Sequence, residues 1–242
     1  MHLLKIEGMS KSFGGLKAVD NVTFNVAEGE IIGLIGPNGS GKTTTLNLLT
    51  GFLKPDSGTV TFQGRNITGY ACSNMCPIGI ARTFQLVKPF LGFTALENVM
   101  VGRVYGREST KNLKQAAEES KASLERVGLL DKANVLAKDL TLMQRKRLEL
   151  ARALAAKPQL LLLDELMAGL NLGEADEACK LIMQIRESKI TILIVEHIVK
   201  AICTVSDRVV VLNMGAKIAE GPPMEIINNP QVIDVYLGRA RA

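Results

Sequence analysis

Gly36-Pro37-Asn38-Gly39-Ser40-Gly41-Lys42-Thr43 decides the fold of this chain. The stretch fits G-x-x-x-x-G-K-[ST], the phosphate-binding P-loop pattern. The run before it, Glu30-Ile31-Ile32-Gly33-Leu34-Ile35, reads as a buried strand, and the run after it, Lys42 to Leu49, reads as a helix. Strand, glycine-rich turn and helix in that order separate a working loop from a chance match. The glycines let the backbone curl until successive N–H groups point at one anion. The helix N-terminus adds unpaired N–H groups and partial positive charge. Lys42 brings a full positive charge to the β- and γ-phosphates, and the Thr43 hydroxyl can hold Mg²⁺.

Outward from that loop the chain alternates strands and helices. Residues 3–8 and 19–26 read as strands, joined by a turn from Lys11 to Gly15 that carries one aromatic, Phe13. Thr23-Phe24-Asn25-Val26 alternates, and the turn at Ala27 to Glu30 predicts antiparallel pairing ahead of the loop strand. Gly51 closes the loop helix, Pro55 to Gly58 is a turn, and Thr59 to Phe62 is a short strand. Residues 64–79 read as surface connection, and 79–85 as a strand ending at the polar Gln85. From Thr94 to Ala156 apolar and charged residues interleave at helical spacing, with Thr94, Thr110 and Thr141 as N-caps. The core resumes at Gln159 to Glu165, then a helix near 174–188, a strand at 190–195, and Glu196-His197. Residues 207–213 and 216–219 form a hairpin with Met214-Gly215 at its turn. Pro222 is placed at the first position of a short helix, and Val232 to Leu237 docks back on the body.

The fold class is therefore α/β. A P-loop core with a mostly parallel sheet carries an antiparallel N-terminal β part and an inserted helical lobe. The core is expected at 1–85 and 157–242 and the lobe at 86–156, within one domain of 242 residues.

Composition is ordinary for a soluble globular protein: 47% hydrophobic, 22% charged, net charge +5. No apolar run approaches the ~18 residues that span a membrane, and Met1 to Glu7 lacks a signal-peptide layout. The expectation is a cytoplasmic protein. The modest positive charge permits an anionic partner or a membrane surface without demanding either. Without Trp and with few aromatics there is no base-stacking platform, so nucleic acid is not expected as a partner. Arg145-Lys146-Arg147 reads as a solvated helix face. Cys72, Cys76, Cys179 and Cys203 have no His nearby to complete a zinc set and read as free thiols in a reducing compartment.

The apolar strand Leu160 to Leu163 delivers two adjacent acids, Asp164 and Glu165. Alone the pair also fits a strand ending in a polar turn. Beside a P-loop it fits Mg-dependent phosphoryl transfer: Asp164 binds Mg²⁺ through water, and Glu165 polarises the attacking water as general base. His197 follows the next strand in the same topological place, where ligands sit in open α/β sheets. It either donates to the γ-phosphate or is structural. Gln85, at another strand end, is a candidate ligand for Mg²⁺ or for the water.

Read together, these residues resemble the ATP-binding-cassette (ABC) ATPases over essentially the whole chain. The loop at 36–43, Gln85, Leu160 to Glu165 and His197 occur in the family's order and spacing. The resemblance implies that Phe13 stacks on adenine and that Gln85 is the hinge between core and lobe. The implied ATP-binding set is Phe13, Gly36, Pro37, Asn38, Gly39, Ser40, Gly41, Lys42, Thr43, Thr44, Gln85 and Asp164, with Thr43, Gln85 and Asp164 on the metal and Glu165 and His197 catalytic. A narrower resemblance, to ATPase subunits of branched-chain amino-acid importers, rests on four stretches: Ala81 to Gln85, Ala168 to Asn171, Val195 to His197, and the tail Val235-Tyr236-Leu237-Gly238. Similar tails and hinges occur in ATPases for urea-type and lipopolysaccharide transport.

One stretch departs from the family. Where its signature loop is Leu-Ser-Gly-Gly-Gln, this chain has Leu140-Thr141-Leu142-Met143-Gln144. In family members that loop caps the partner's ATP across a dimer. Thr141 to Gln144 also fits a capping box, which needs no ATP to explain it. The resemblance as a whole implies an ATP- and Mg²⁺-using subunit on the inner face of the cell membrane. It would form a homo- or heterodimer with a second ABC ATPase subunit and couple to an integral membrane permease. Leu86, Val87, Phe90, Leu91 and Phe93 either receive a permease helix or form lobe core. The alternatives are a soluble ATP-dependent clamp on nucleic acid or ribosomes, and a weakly hydrolysing nucleotide-binding subunit.

Overall fold

A computed structural model describes residues 2–197 and 199–237. In chain order its elements begin with β1 (His2–Phe13), β2 (Leu16–Ala27), β3 (Ile31–Ile35), α1 (Lys42–Leu49), β4 (Ser57–Phe62) and β5 (Arg65–Asn66). Next come α2 (Met75–Ile78), β6 (Ile80–Arg82), α3 (Ala95–Tyr105), α4 (Leu113–Arg126), α5 (Leu142–Ala155) and β7 (Leu160–Asp164). The chain finishes with α6 (Leu172–Glu187), β8 (Thr191–Val195), α7 (Val199–Val205), β9 (Arg208–Asn213), β10 (Ala216–Gly221), α8 (Pro223–Ile227) and α9 (Pro230–Leu237). By contact the chain divides into two compact units, Met1–Cys72 with Leu162–Ala242, and Ser73–Leu161.

In the first unit β3 is buried along its whole length and runs parallel to both neighbours, β8 and β9. A strand covered on both faces must be apolar throughout, which explains the unbroken runs Ile31 to Ile35 and Thr191 to Val195. The hairpin from β9 to β10 closes one edge in antiparallel sense. A separate antiparallel sheet has the order β2-β1-β4-β5. The sheet class is thus as expected, mostly parallel in the core and antiparallel at the N-terminal part. The first turn is tighter than the sequence suggested: β1 continues to Phe13, leaving only Gly14-Gly15 outside the strands. Asp56 holds that extension by accepting from the Lys11 ammonium at 2.6 Å and from the Ser12 N–H at 2.7 Å. Pro222 is the N-cap of α8, and Pro223 takes the first helical position assigned above to Pro222. Helix α9 packs on β10 and α8, so the tail does dock back.

In the second unit α3, α4 and α5 pack together. Thr94 and Thr141 cap α3 and α5, each in a capping box with the residue three positions on. Thr110 does not cap α4. Asn112 does, its side chain accepting from the Lys114 and Gln115 N–H groups. The Thr110 hydroxyl instead accepts from the Asn112 N–H and bonds the Gln115 side chain. The strand expected over 79–85 shortens to β6, which lies beside the first residues of β7 where Gly79 accepts from the N–H groups of Gln159 and Leu160. It ends at Arg82, and two residues on the Phe84 N–H is given to the Glu149 carboxylate. Arg145-Lys146-Arg147 is not a solvated face: Lys146 is buried, and the Arg145 guanidinium donates to the carbonyls of Ala137 and Lys138. Among the described residues no helix is long and apolar enough to cross a membrane. All four cysteines are free.

Candidate nucleotide site

The site grows from the carboxyl end of β3. After Ile35 the chain turns through residues 36–41 into α1, whose N-cap, Gly41, has φ 102°. A side chain could not stand there, since a Cβ would lie 2.4 Å from the Ala18 carbonyl oxygen. No side chain caps α1, and no acid lies in its first turn. Lys42, nearly buried, donates to the carbonyls of Gly36 at 2.8 Å and Pro37 at 3.0 Å. Burial lowers its ammonium pKa, while the charges of Glu165 and Asp164 pull the other way. Ser40 is 2% exposed, and its hydroxyl oxygen has no hydrogen-bond partner among the described residues. A buried hydroxyl in that state is uncommon, and it stands in the loop that would meet an anion.

A cavity of about 550 Å³ opens over this loop. Residues Asn38, Gly39, Ser40, Gly41, Lys42, Thr43 and Thr44 line it, together with Glu165, His197, Phe13, Leu16, Lys17, Ala18 and Met214. The structure therefore brings the loop, the expected base Glu165, His197 and the expected stacking residue Phe13 to one space. Gly36, Pro37 and Asp164 do not line it: Gly36 and Asp164 are buried beside it. Gln85 and the stretch Thr141 to Gln144 belong to the second unit.

Strand β7 delivers Glu165 in a left-handed backbone conformation, φ 50°, with its N–H donating to the Val195 carbonyl at 2.9 Å. Such a conformation costs a non-glycine residue roughly 1–2 kcal/mol and concentrates at functional sites. The Glu165 Oε1 meets His197 Nε2 at 2.6 Å. His197 is thus held on Glu165, a contact the sequence did not suggest. Glu196 is buried and accepts from the Met167 N–H at 2.6 Å, pinning the turn after β7. Sequence reading gave Glu196 no role, because an acid beside a His at a strand end looks like one more surface carboxylate. Phe13 is 48% exposed, and the Lys11 ammonium sits 5.9 Å from its ring centroid.

In the second unit the altered signature stretch is folded on itself. Thr141 N–H donates to Gln144 Oε1 at 2.9 Å, and Gln144 N–H donates to Thr141 Oγ1 at 3.3 Å. Leu142 is exposed. Leu86, Phe90, Leu91 and Phe93 are exposed as well, so they are not lobe core. Phe90 and Phe93 pair at 5.4 Å between ring centroids, and the Arg152 guanidinium lies over Phe90 at 5.6 Å.

The model of the ABC transporter family matches residues 19–168. The chain belongs to that family. A second model, for branched-chain amino acid ATP-binding cassette transporters, matches residues 216–242. The chain is 43% identical to the high-affinity branched-chain amino acid transport ATP-binding protein LivG of Salmonella typhimurium, over 98% of each chain. Among solved structures it is similar to the ADP conformation of an ATP-binding cassette of an ABC transporter, with TM-score 0.88, 33% identity, and 99% and 100% of the two chains covered. A dimeric post-hydrolysis ATP-binding cassette bound to ADP and Pi gives TM-score 0.82 at 25% identity, covering 91% of this chain and 98% of that one. Family membership carries ATP hydrolysis with it. It also disfavours the soluble-clamp alternative, since both models describe transporters.

Proposed function

We propose that this protein is the ATP-hydrolysing subunit of an importer for branched-chain amino acids. It binds ATP with Mg²⁺, pairs with a like or unlike second cassette, and drives a membrane permease from the inner face of the membrane. The observation that carries this reading is the single cavity shared by residues 38–44, the Glu165–His197 pair and Phe13. Likeness to LivG supplies the solute class, and the dimeric cassette supplies the pairing.

The roles follow from the chemistry of the side chains. Lys42 exchanges the Gly36 and Pro37 carbonyls for phosphate oxygens, and the uncapped end of α1 receives the same anion. Ser40 finds there the partner its buried hydroxyl lacks among the described residues. Thr43, Asp164 and Gln85 offer a hydroxyl, a carboxylate and an amide, the hard oxygen donors that suit Mg²⁺. When bound, the ion would neutralise negative charge on the phosphates. Glu165 takes the proton of the attacking water, and His197 fixes the Glu165 carboxylate through the 2.6 Å contact. Phe13 stacks on the base. The exposed Leu86, Phe90, Leu91 and Phe93 receive the permease. Thr141 to Gln144 faces the partner's nucleotide with bulk where the family has glycine, which weakens that cap without removing it.

The test is Lys42→Ala with a fluorescent ATP analogue. A lost charge-assisted contact is worth roughly 1.5–3 kcal/mol, so affinity should fall by about one to two decades. Unchanged affinity places the ligand elsewhere.

A further inference from the structure

The cavity lining includes two chemically distinct sets, one suited to an anion and one apolar. Residues 38–44 offer backbone N–H groups and the Lys42 ammonium, the partners of an anion. Phe13, Leu16, Ala18 and Met214 are apolar. Met214 is the outlier of that set. It occupies the two-residue turn between β9 and β10, where φ is positive at both Met214 (46°) and Gly215 (82°). A turn of this kind favours Asn-Gly, because asparagine tolerates the left-handed region and a long aliphatic side chain gains nothing from it. The turn is also fastened to the site. Gly215 N–H donates to the Ser40 carbonyl at 3.1 Å, and Asp20 N–H donates to the Gly215 carbonyl at 2.8 Å. Thus a large apolar side chain is held in an unfavourable backbone conformation, 83% exposed, at the rim of the cavity. Packing of the protein on itself does not account for it.

We propose that Met214 is a nucleotide-contacting residue, laying its thioether on the face of the bound nucleoside triphosphate's base. The inference rests on the reading of this cavity as the nucleotide site. A flat apolar heterocycle suits the Phe13, Leu16, Ala18 and Met214 set as the triphosphate suits the loop. Contact of sulfur with an aromatic face is favourable and polarizability-driven. It reads the π-face and not the hydrogen-bonding edge, so it serves purines without distinguishing adenine from guanine.

The experiment is calorimetric titration, with Mg²⁺ present, of ATP, GTP and inorganic tripolyphosphate into the parent and into Met214→Asn. Asparagine suits the turn, so the variant should melt at or above the parent's temperature. It should bind ATP and GTP about 2- to 10-fold more weakly, and tripolyphosphate within about twofold of the parent, because the latter has no base to touch. Met214→Leu, which keeps an apolar body, should recover most of the loss. Equal weakening of all three ligands would assign the effect to the turn's hold on Ser40 and overturn the proposal. So would unchanged ATP affinity. A parent that binds neither ATP nor tripolyphosphate would sink the nucleotide-site reading itself, a different result from either of these.

Discussion

Helices α1 and α5 begin in opposite ways. At the start of α1 stands Gly41, no side chain caps the end, and the adjacent Ser40 hydroxyl is buried without a partner among the described residues. At the start of α5 Thr141 and Gln144 take each other's backbone N–H groups. Both ends carry the same intrinsic partial positive charge. One is left uncapped and the other is satisfied by its own chain. The contrast extends to the units that hold them. In the second unit Thr94 and Glu97 box α3, and the Asn98 amide serves three loop carbonyls. There too the Glu119 carboxyl is held down at about 2 by hydrogen bonds from Arg103, Gln115 and Lys157. The first unit keeps Lys42 poised on loop carbonyls and Glu165 in a left-handed conformation. Most buried polar groups in folded proteins are partnered; the Ser120 hydroxyl of the second unit also has no partner among the described residues, so what singles out Ser40 is its place beside an uncapped helix end in the glycine-rich loop.

The largest expected effect tests that the chemistry belongs to the open side of this contrast. Glu165→Gln keeps the shape and removes the carboxylate proposed as the base. Turnover should fall by about 10² to 10⁴, while ATP still binds. A mutant that cannot hydrolyse its nucleotide should also accumulate as an ATP-bound dimer on a sizing column. Hydrolysis at the parent rate would mean that the base is another residue, and that the strained turn at Glu165 serves packing alone.

The open side was also the more legible in sequence. A glycine-rich loop between a β-branched run and a helix declares itself, because few residue types tolerate its conformations. Leu160 to Glu165 declares itself for a related reason: acids are rare at the end of a buried strand. What could not be read was which of several equivalent polar residues the chain uses. Thr110 and Asn112 are both good caps, and only the path of the backbone selects Asn112. Pro222 and Pro223 are ambiguous in the same way. β6 ends at Arg82, and beyond it the Phe84 N–H goes to Glu149, 67 positions beyond Arg82, a long-range partner that no local pattern could announce. Met214 looked like any hairpin turn residue until the cavity was seen beside it.

Glu149 is an exception on the satisfied side, and it supplies the next test. Its carboxyl is buried among Arg152, Lys146 and Arg82 and accepts from the Phe84 N–H, yet burial dominates and pushes its pKa up to about 7. Unfolded, it would titrate near an ordinary ~4.3. The native chain therefore keeps a proton that the unfolded chain has lost. The associated stability is full below about pH 4 and is lost as pH rises through 7, for a total of about 4 kcal/mol. Glu149→Gln retains an acceptor for Phe84 and cannot ionise. Its melting temperature relative to the parent should climb between pH 5 and 8.5. Parallel curves would show that the surrounding cations fully offset the burial.

The smallest effect sharpens the opening comparison most directly. Thr141→Ala removes half of the box on α5 and should cost about 1 kcal/mol, read as a lower urea midpoint at unchanged slope. The corresponding loss is impossible at α1, which has no side-chain cap to remove. The same variant separates two accounts of Thr141. If the hydroxyl serves only the helix, ATP turnover per folded molecule stays at the parent value while the midpoint drops. If instead it also donates to a nucleotide held by a partner, turnover falls by more than the lost stability explains, and Thr141→Ser, which keeps the hydroxyl, restores both. A midpoint that does not move would mean that the two N–H groups are equally well served by water, and the difference between the two helix ends would then be one of geometry alone.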